Sequence, residues 1–180
     1  TLKLFSGDYT YTKGLITNDK AAEIEKEVKE DTYVVKDVTE TEAVRYPPPP
    51  YTTSQLQQDA INRFGLSSKM VMRIAQDLYE RGLITYHRTD SFNLSASYVF
   101  KAKDFIAETY GKEYALDKPR GYKTKSSSAQ EAHEAIRPTK VERTPQQLAK
   151  DKKLNKSQLN IYELIFNRTL ATQMKEAKVI

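Results

Sequence analysis

Apolar residues recur at helical spacing through most of the chain beyond residue 50, whereas the first 45 residues mix short apolar runs with charge. Residues 1–16 and 31–45, the latter carrying Tyr33, Val34, Val35 and Val38, read as strands. Between them Asn18 can cap a helix to about Lys29, with Ala21, Ala22, Ile24 and Val28 on its inner side. Pro47 to Pro50 cannot continue a sheet and mark a hinge or domain boundary. Thr52 or Thr53 then caps a helix through Phe64, with Leu56, Ala60 and Phe64 at i, i+4 and i+8 and Gly65 as its stop. Ser67 or Ser68 caps a second, with Val71, Ile74, Ala75 and Leu78 on one face and Gly82 at its end. A third runs from about Ser95 to Tyr110 with Val99, Ala102, Ile106 and Tyr110 aligned. Thr144 and Pro145 open a short helix, and Leu159 to Met174 reads as a longer one carrying Tyr162, Ile165, Phe166 and Leu170.

The pattern predicts a mainly α fold with a minor β part. Two helices joined by a short turn containing Gly65 form a helix-turn-helix pattern, and an extended Leu83–Arg88 can serve as a wing. Residues 1–45 are too few to bury themselves and read as part of a larger β-containing domain. Residues 46–175 form the helical domain, and 176–180 return toward the first part. There is no internal repeat.

With 180 residues the chain has room for one ordinary domain and a piece of another. It contains no cysteine, which excludes disulfides and thiolate chemistry. No apolar run approaches the roughly 18 residues of a membrane span, and no signal-peptide pattern opens the chain, so no membrane partner is expected. Net charge is +5, unevenly spread: residues 1–45 hold 7 basic and 10 acidic groups, whereas 118–156 hold 11 basic and 4 acidic. A polyphosphate partner would select such a basic half, and Lys123 and Lys125 lie in its polar stretch Lys118–Ser128, which reads as a loop. With Trp absent, any base stacking must use the 12 Tyr or 6 Phe.

The run Gly82 to Ser91 carries the chemistry. If Leu83–Arg88 is extended, side chains alternate, so Tyr86 and Arg88 point the same way and His87 the other. Tyrosine ionises near pH 10, and forming the phenolate at neutral pH costs roughly 4 kcal/mol. A guanidinium on the same face lowers that cost and can bind a non-bridging phosphate oxygen with its forked donors. Tyrosine is suited to holding a phosphodiester as a phosphotyrosyl ester, which conserves the bond for resealing. A second compact run, Glu131 to Arg137, is closed by Pro138, which sets Arg137 at an element end.

Three blocks in order carry a resemblance: residues 48–58 (PPPYTTSQLQQ), Leu83 to Ser91 (LITYHRTDS) and residues 129–139 (AQEAHEAIRPT). Together they resemble the type IA DNA topoisomerases, closest to the bacterial topoisomerase I branch, over essentially the whole chain. The resemblance implies a winged-helix-like, CAP-like nucleophile domain joined to a piece of the β-containing arch. It implies that Tyr86 attacks a single-stranded DNA phosphodiester to give a 5′ phosphotyrosine and a free 3′ hydroxyl, with Arg88 stabilising the scissile phosphate. Asp90 matches a carboxylate kept near the site, His133 a histidine contacting the scissile region, and Arg137 a further candidate for phosphate contact; Gln130 and Glu131 are weaker ones. His87 departs from the methionine frequent at its place and, facing away from the nucleophile, reads as packing.

The family also implies Mg2+ held by a DxDxE cluster in a separate Toprim domain, and no such triad occurs here. The chain is therefore expected to be a fragment of a monomeric, cytoplasmic, nucleoid-associated enzyme. Its partners would be single-stranded DNA and the Toprim and remaining arch domains, and alone it would not relax supercoils. A reverse-gyrase module, a non-catalytic winged-helix DNA-binding module and a tyrosine recombinase or type IB enzyme remain the alternatives.

Overall fold

The computed structural model describes residues 17–30, 32, 35, 37–122, 133–151 and 154–179. The chain divides into two compact units, 1–41 and 42–180. In the first, the described residues form one helix, α1 (Asn18–Glu30), none of whose residues is buried. Of the apolar stripe expected inward, Ala21, Ala22 and Val28 are exposed and Ile24 is half-buried. The strand expected at 1–16 lies outside the described residues. Of the strand expected at 31–45, residues 31, 33, 34 and 36 lie outside the described ones; among the described residues β1 (Ala43–Arg45) is the part formed, and 37–42 are exposed with no ladder partner there.

The second unit is a helical body. Helix α2 (Thr53–Phe64) starts on a capping box, Thr52 with Gln55, and ends on Gly65 at φ 64°, a left-handed position that glycine occupies without steric cost. Helix α3 (Ser68–Glu80) is capped by Ser67 and buries Val71, Ile74, Ala75 and Leu78, the four residues expected. Gly82, at φ 65°, turns the chain out of α3. Helix α4 (Ala96–Thr109) buries Tyr98, Val99, Ala102 and Ile106, while Tyr110 is exposed beyond its end. The short α5 (Pro145–Lys150) begins on a Thr144–Gln147 capping box. Helix α6 (Lys156–Thr172) begins three residues earlier than its apolar face predicts, because Asn155 and Gln158 form a further capping box.

The α2–α3 pair packs as a helix-turn-helix, and α6 runs against both, with α5 on its flank. Leu56, Ala60, Val71, Leu78, Ile106, Ile136, Ile161, Tyr162 and Ile165 form the centre of one core. The ends of the unit meet: β1 pairs antiparallel with β2 (Ala177–Val179), Ala43 opposite Val179. A two-stranded ribbon is marginal alone, and polar ties at its base fasten it. Arg120 donates to the carbonyls of Thr172 and Met174 at 3.3 and 2.9 Å and lies over the Tyr46 ring. The Tyr122 hydroxyl donates to the Pro47 carbonyl at 3.1 Å, and Arg168 Nε to that of Pro49 at 2.8 Å.

The proline run is therefore secured to α6 and residue 122 within this unit. Residues 118–122 begin the stretch expected to be a loop that lies on a partner or is mobile, and Arg120 ties them to Gln173 at the end of α6.

Candidate active site

Three segments far apart in sequence are hydrogen-bonded into one nucleus, and they are the three blocks that carry the resemblance. Thr53, at the first turn of α2, donates from Oγ1 to the carbonyls of His87 and Thr89 at 2.8 and 3.1 Å and accepts from the Thr89 N–H at 2.9 Å. Tyr51 accepts at its carbonyl from the Ile136 N–H at 2.9 Å. Thr85 ties the second block to the third: its N–H donates to the Arg137 carbonyl at 2.9 Å and its hydroxyl to that of Ala135 at 2.6 Å, while the Arg137 N–H donates back to the hydroxyl. The Ala135 N–H reaches the Asn93 carbonyl at 2.8 Å.

The regular strand expected over Leu83–Arg88 is not formed. One antiparallel bridge, Ile84 to Pro138, is followed by bends, because the side-chain hydroxyls of Thr53 and Thr85 supply the bonds a neighbouring strand would otherwise make. Alternation nevertheless holds from residue 86 onward. Tyr86, Arg88 and Asp90 are exposed, while His87, Thr89 and Ser91 are buried. Thr89 and Ser91 accept at their hydroxyls from the backbone N–H of Ser91 and Asn93, each at 3.1 Å, which fixes the turn below the exposed side chains.

Tyr86 presents its phenol with 42% of the residue exposed. His87 is buried as expected, yet its ring does not lie away from that of Tyr86: the two centroids are 5.3 Å apart. Both imidazole nitrogens are buried without hydrogen bonds. Burial, and then the Arg88 charge, lower the His87 pKa against a smaller opposing effect of Glu80, which favours the neutral ring.

Arg137 is buried rather than presented to solvent. Its guanidinium donates to Glu134 Oε2 at 2.6 Å, Ser95 Oγ at 3.3 Å and the Pro138 carbonyl at 2.9 Å, and stacks over the Tyr98 ring at 4.5 Å. Both terminal nitrogens are thus engaged by the protein and tie the third block to α4, while Nε is buried with no hydrogen-bond partner among the described residues. Glu134 completes the tie, since its Oε1 accepts from the Ser95 N–H at 2.6 Å and caps α4 where Ser95 makes no side-chain cap of its own. Burial pushes the Glu134 carboxyl up, but the hydrogen bonds from Ser95 and Arg137 outweigh it and hold the group below the usual carboxylate range.

His133, the first described residue of the third block, is exposed. Lys123, Lys125, Gln130 and Glu131 lie outside the described residues. Among the described residues no group of three or more His, Cys, Asp or Glu side chains converges on a point where a metal could bind. No described helix is long and apolar enough to cross a membrane. Sequence reasoning missed Tyr79, Thr53, Thr85 and Glu134. Thr53, Thr85 and Glu134 lie inside the quoted blocks, whereas Tyr79 lies on α3, outside them.

The family described as DNA topoisomerase matches residues 3–180. The chain is 47% identical over 171 residues to a DNA topoisomerase 1 of Campylobacter jejuni, covering 90% of this chain and 24% of that protein. It is 48% identical over 148 residues to a DNA topoisomerase 1 of Synechocystis, covering 82% of this chain and 16% of that one. Among solved structures, full-length topoisomerase I of Thermotoga maritima superposes with a TM-score of 0.72 at 36% identity, over 94% of this chain and 27% of that one. The chain thus spans about a quarter or less of these relatives. With the family match running through nearly every residue and the three blocks joined in one nucleus, the chain belongs to the DNA topoisomerase family.

Proposed function

We propose that this chain is the tyrosine-bearing part of a type IA topoisomerase, in which Tyr86 cleaves one DNA strand. The observation that carries the reading is the outward presentation of Tyr86, Arg88 and Asp90 on a loop that Thr53 and Thr85 hold from beneath. The Tyr86 phenolate oxygen attacks phosphorus, the bond from phosphorus to the 3′ oxygen breaks, and the leaving 3′ oxygen takes up a proton. The product is a 5′ phosphotyrosine and a 3′ hydroxyl, and attack by that hydroxyl reverses the step. Arg88 neutralises the non-bridging oxygens as charge builds in the transition state. His133 contributes a donor to the same phosphate, Asp90 orients the basic groups beside it, and Lys123 and Lys125 track the strand backbone. Arg137 acts by fixing the third block.

In the complete enzyme the Toprim domain supplies magnesium and the proton-transfer partner, and residues 1–45 and 176–180 belong to the arch that moves the nucleophile domain. The enzyme works as a monomer on single-stranded DNA in the nucleoid.

The test is the polarity of the covalent product. A single-stranded oligonucleotide is cleaved by the complete enzyme and the reaction is stopped with denaturant. A label at the 3′ end is expected to travel with the protein and a label at the 5′ end to be released. The reverse outcome would assign the chain to 3′-phosphotyrosine chemistry and sink the proposal.

Arg88→Ala is expected to lower single-turnover cleavage by about 10²- to 10³-fold, the usual loss for a removed transition-state donor. Arg88→Lys should restore only part, since an ammonium lacks the planar fork. Equal cleavage by the alanine variant would remove Arg88 from the mechanism.

A further inference from the structure

The segment holding Tyr86 has no ladder of its own. After the Ile84 bridge the backbone bends, and the Tyr86 ring projects from it half into solvent. Such a ring would sample several orientations, yet in-line attack needs its oxygen aimed within a narrow cone. Two aromatic neighbours meet it. Tyr79, in the last turn of α3, has its ring centroid 5.3 Å from that of Tyr86 at an interplanar angle of 65°. His87 lies at 5.3 Å and 68°. The two neighbours also touch each other, 5.8 Å apart, which closes a triangle.

The two contacts with Tyr86 are edge-to-face, whereas Tyr79 and His87 meet at a tilted 49°. His87 has no other described partner for its ring nitrogens, although it is 1% exposed. A buried imidazole with both nitrogens unbonded normally costs stability. Here it does the work of an apolar ring, wedged under the nucleophile and kept neutral by burial and by Arg88. Its backbone is pinned as well, through the bond from Thr53 Oγ1 to its carbonyl. Tyr79 brings the opposite constraint, because it rides on a helix whose inner face is locked in the core by Ala75 and Leu78.

We propose that Tyr79 and His87 form an aromatic clamp that fixes the ring of Tyr86 and so aims its hydroxyl at the scissile phosphorus. Both are positioning residues and act only through Tyr86. The proposal rests on the reading of Tyr86 as nucleophile.

The test uses the complete enzyme and single-turnover cleavage of a single-stranded oligonucleotide, with binding measured separately. Tyr79→Ala removes one arm at a half-exposed position, where truncation is expected to leave the fold intact. It is expected to slow cleavage about tenfold with binding unchanged, and Tyr79→Phe, which retains the ring, to recover most of that loss. His87→Phe should keep cleavage far better than His87→Ala, since the ring and not its nitrogens is used. Cleavage by Tyr79→Ala at the unmodified rate would overturn the clamp. So would weakened binding with an unchanged cleavage step, which would make Tyr79 a DNA contact. A failure of the nucleophile reading is distinguishable, because Tyr86→Phe would then still form the covalent product.

Discussion

Tyr86→Phe is expected to abolish the covalent protein–DNA product, lowering it by roughly 10⁴-fold or more, the scale on which a lost nucleophile is felt. The substitution removes one oxygen and leaves the ring, so the contacts with Tyr79 and His87 persist. The hydroxyl belongs to a half-exposed residue, and its loss should change stability by no more than about 0.5 kcal/mol. Single-strand binding should stay within about twofold. The measurement is denaturant trapping on a labelled oligonucleotide with the complete enzyme, beside a thermal melt of the same preparation. Covalent product from the phenylalanine variant at a comparable level would show that another residue carries the ester. Loss of product together with a collapsed melt would place Tyr86 in the fold.

Much of this was legible in the sequence where the physics is local. Helices α2, α3 and α4 follow from their caps and 3.6-residue spacing, and Thr52, Ser67 and Gly65 stop or start them where expected. Alternation along Tyr86, His87, Arg88 and Asp90 was also readable, although the strand assumed to produce it is replaced by a bridged, bent loop. What could not be read depends on partners remote in sequence. Thr53 and Thr85 bond segments more than 30 residues away, and nothing in the local pattern distinguishes them from ordinary cap and turn residues. Tyr79 sits seven residues before Tyr86 across the Gly82 turn, and only the direction in which that turn sends the chain brings the rings together. A return of 176–180 toward the first part was expected, but the register of β1 with β2, Ala43 opposite Val179, has no signal in either three-residue strand.

Arg137→Ala is expected to destabilise the helical unit by about 3 kcal/mol, near the lower end of the cost of breaking a buried ion pair, because the Glu134 side chain keeps 29% of its surface exposed. Truncation strands the Glu134 carboxylate, removes the cation from the Tyr98 ring and weakens the cap on α4. Urea unfolding followed by far-UV circular dichroism measures the difference, and its pH dependence identifies the cause. The folded pKa of Glu134 is depressed, so the ion pair's contribution is fully present above the unfolded carboxylate value of about 4.3 and is lost as pH falls through the folded pKa. The gap between the native chain and Arg137→Ala should therefore be widest near neutrality and narrow in acid. A gap that does not change with pH would assign the whole effect to packing over Tyr98. Unchanged stability, with DNA affinity lowered and its salt dependence reduced by about one charge, would instead return Arg137 to the phosphate-contact role that the sequence resemblance implies.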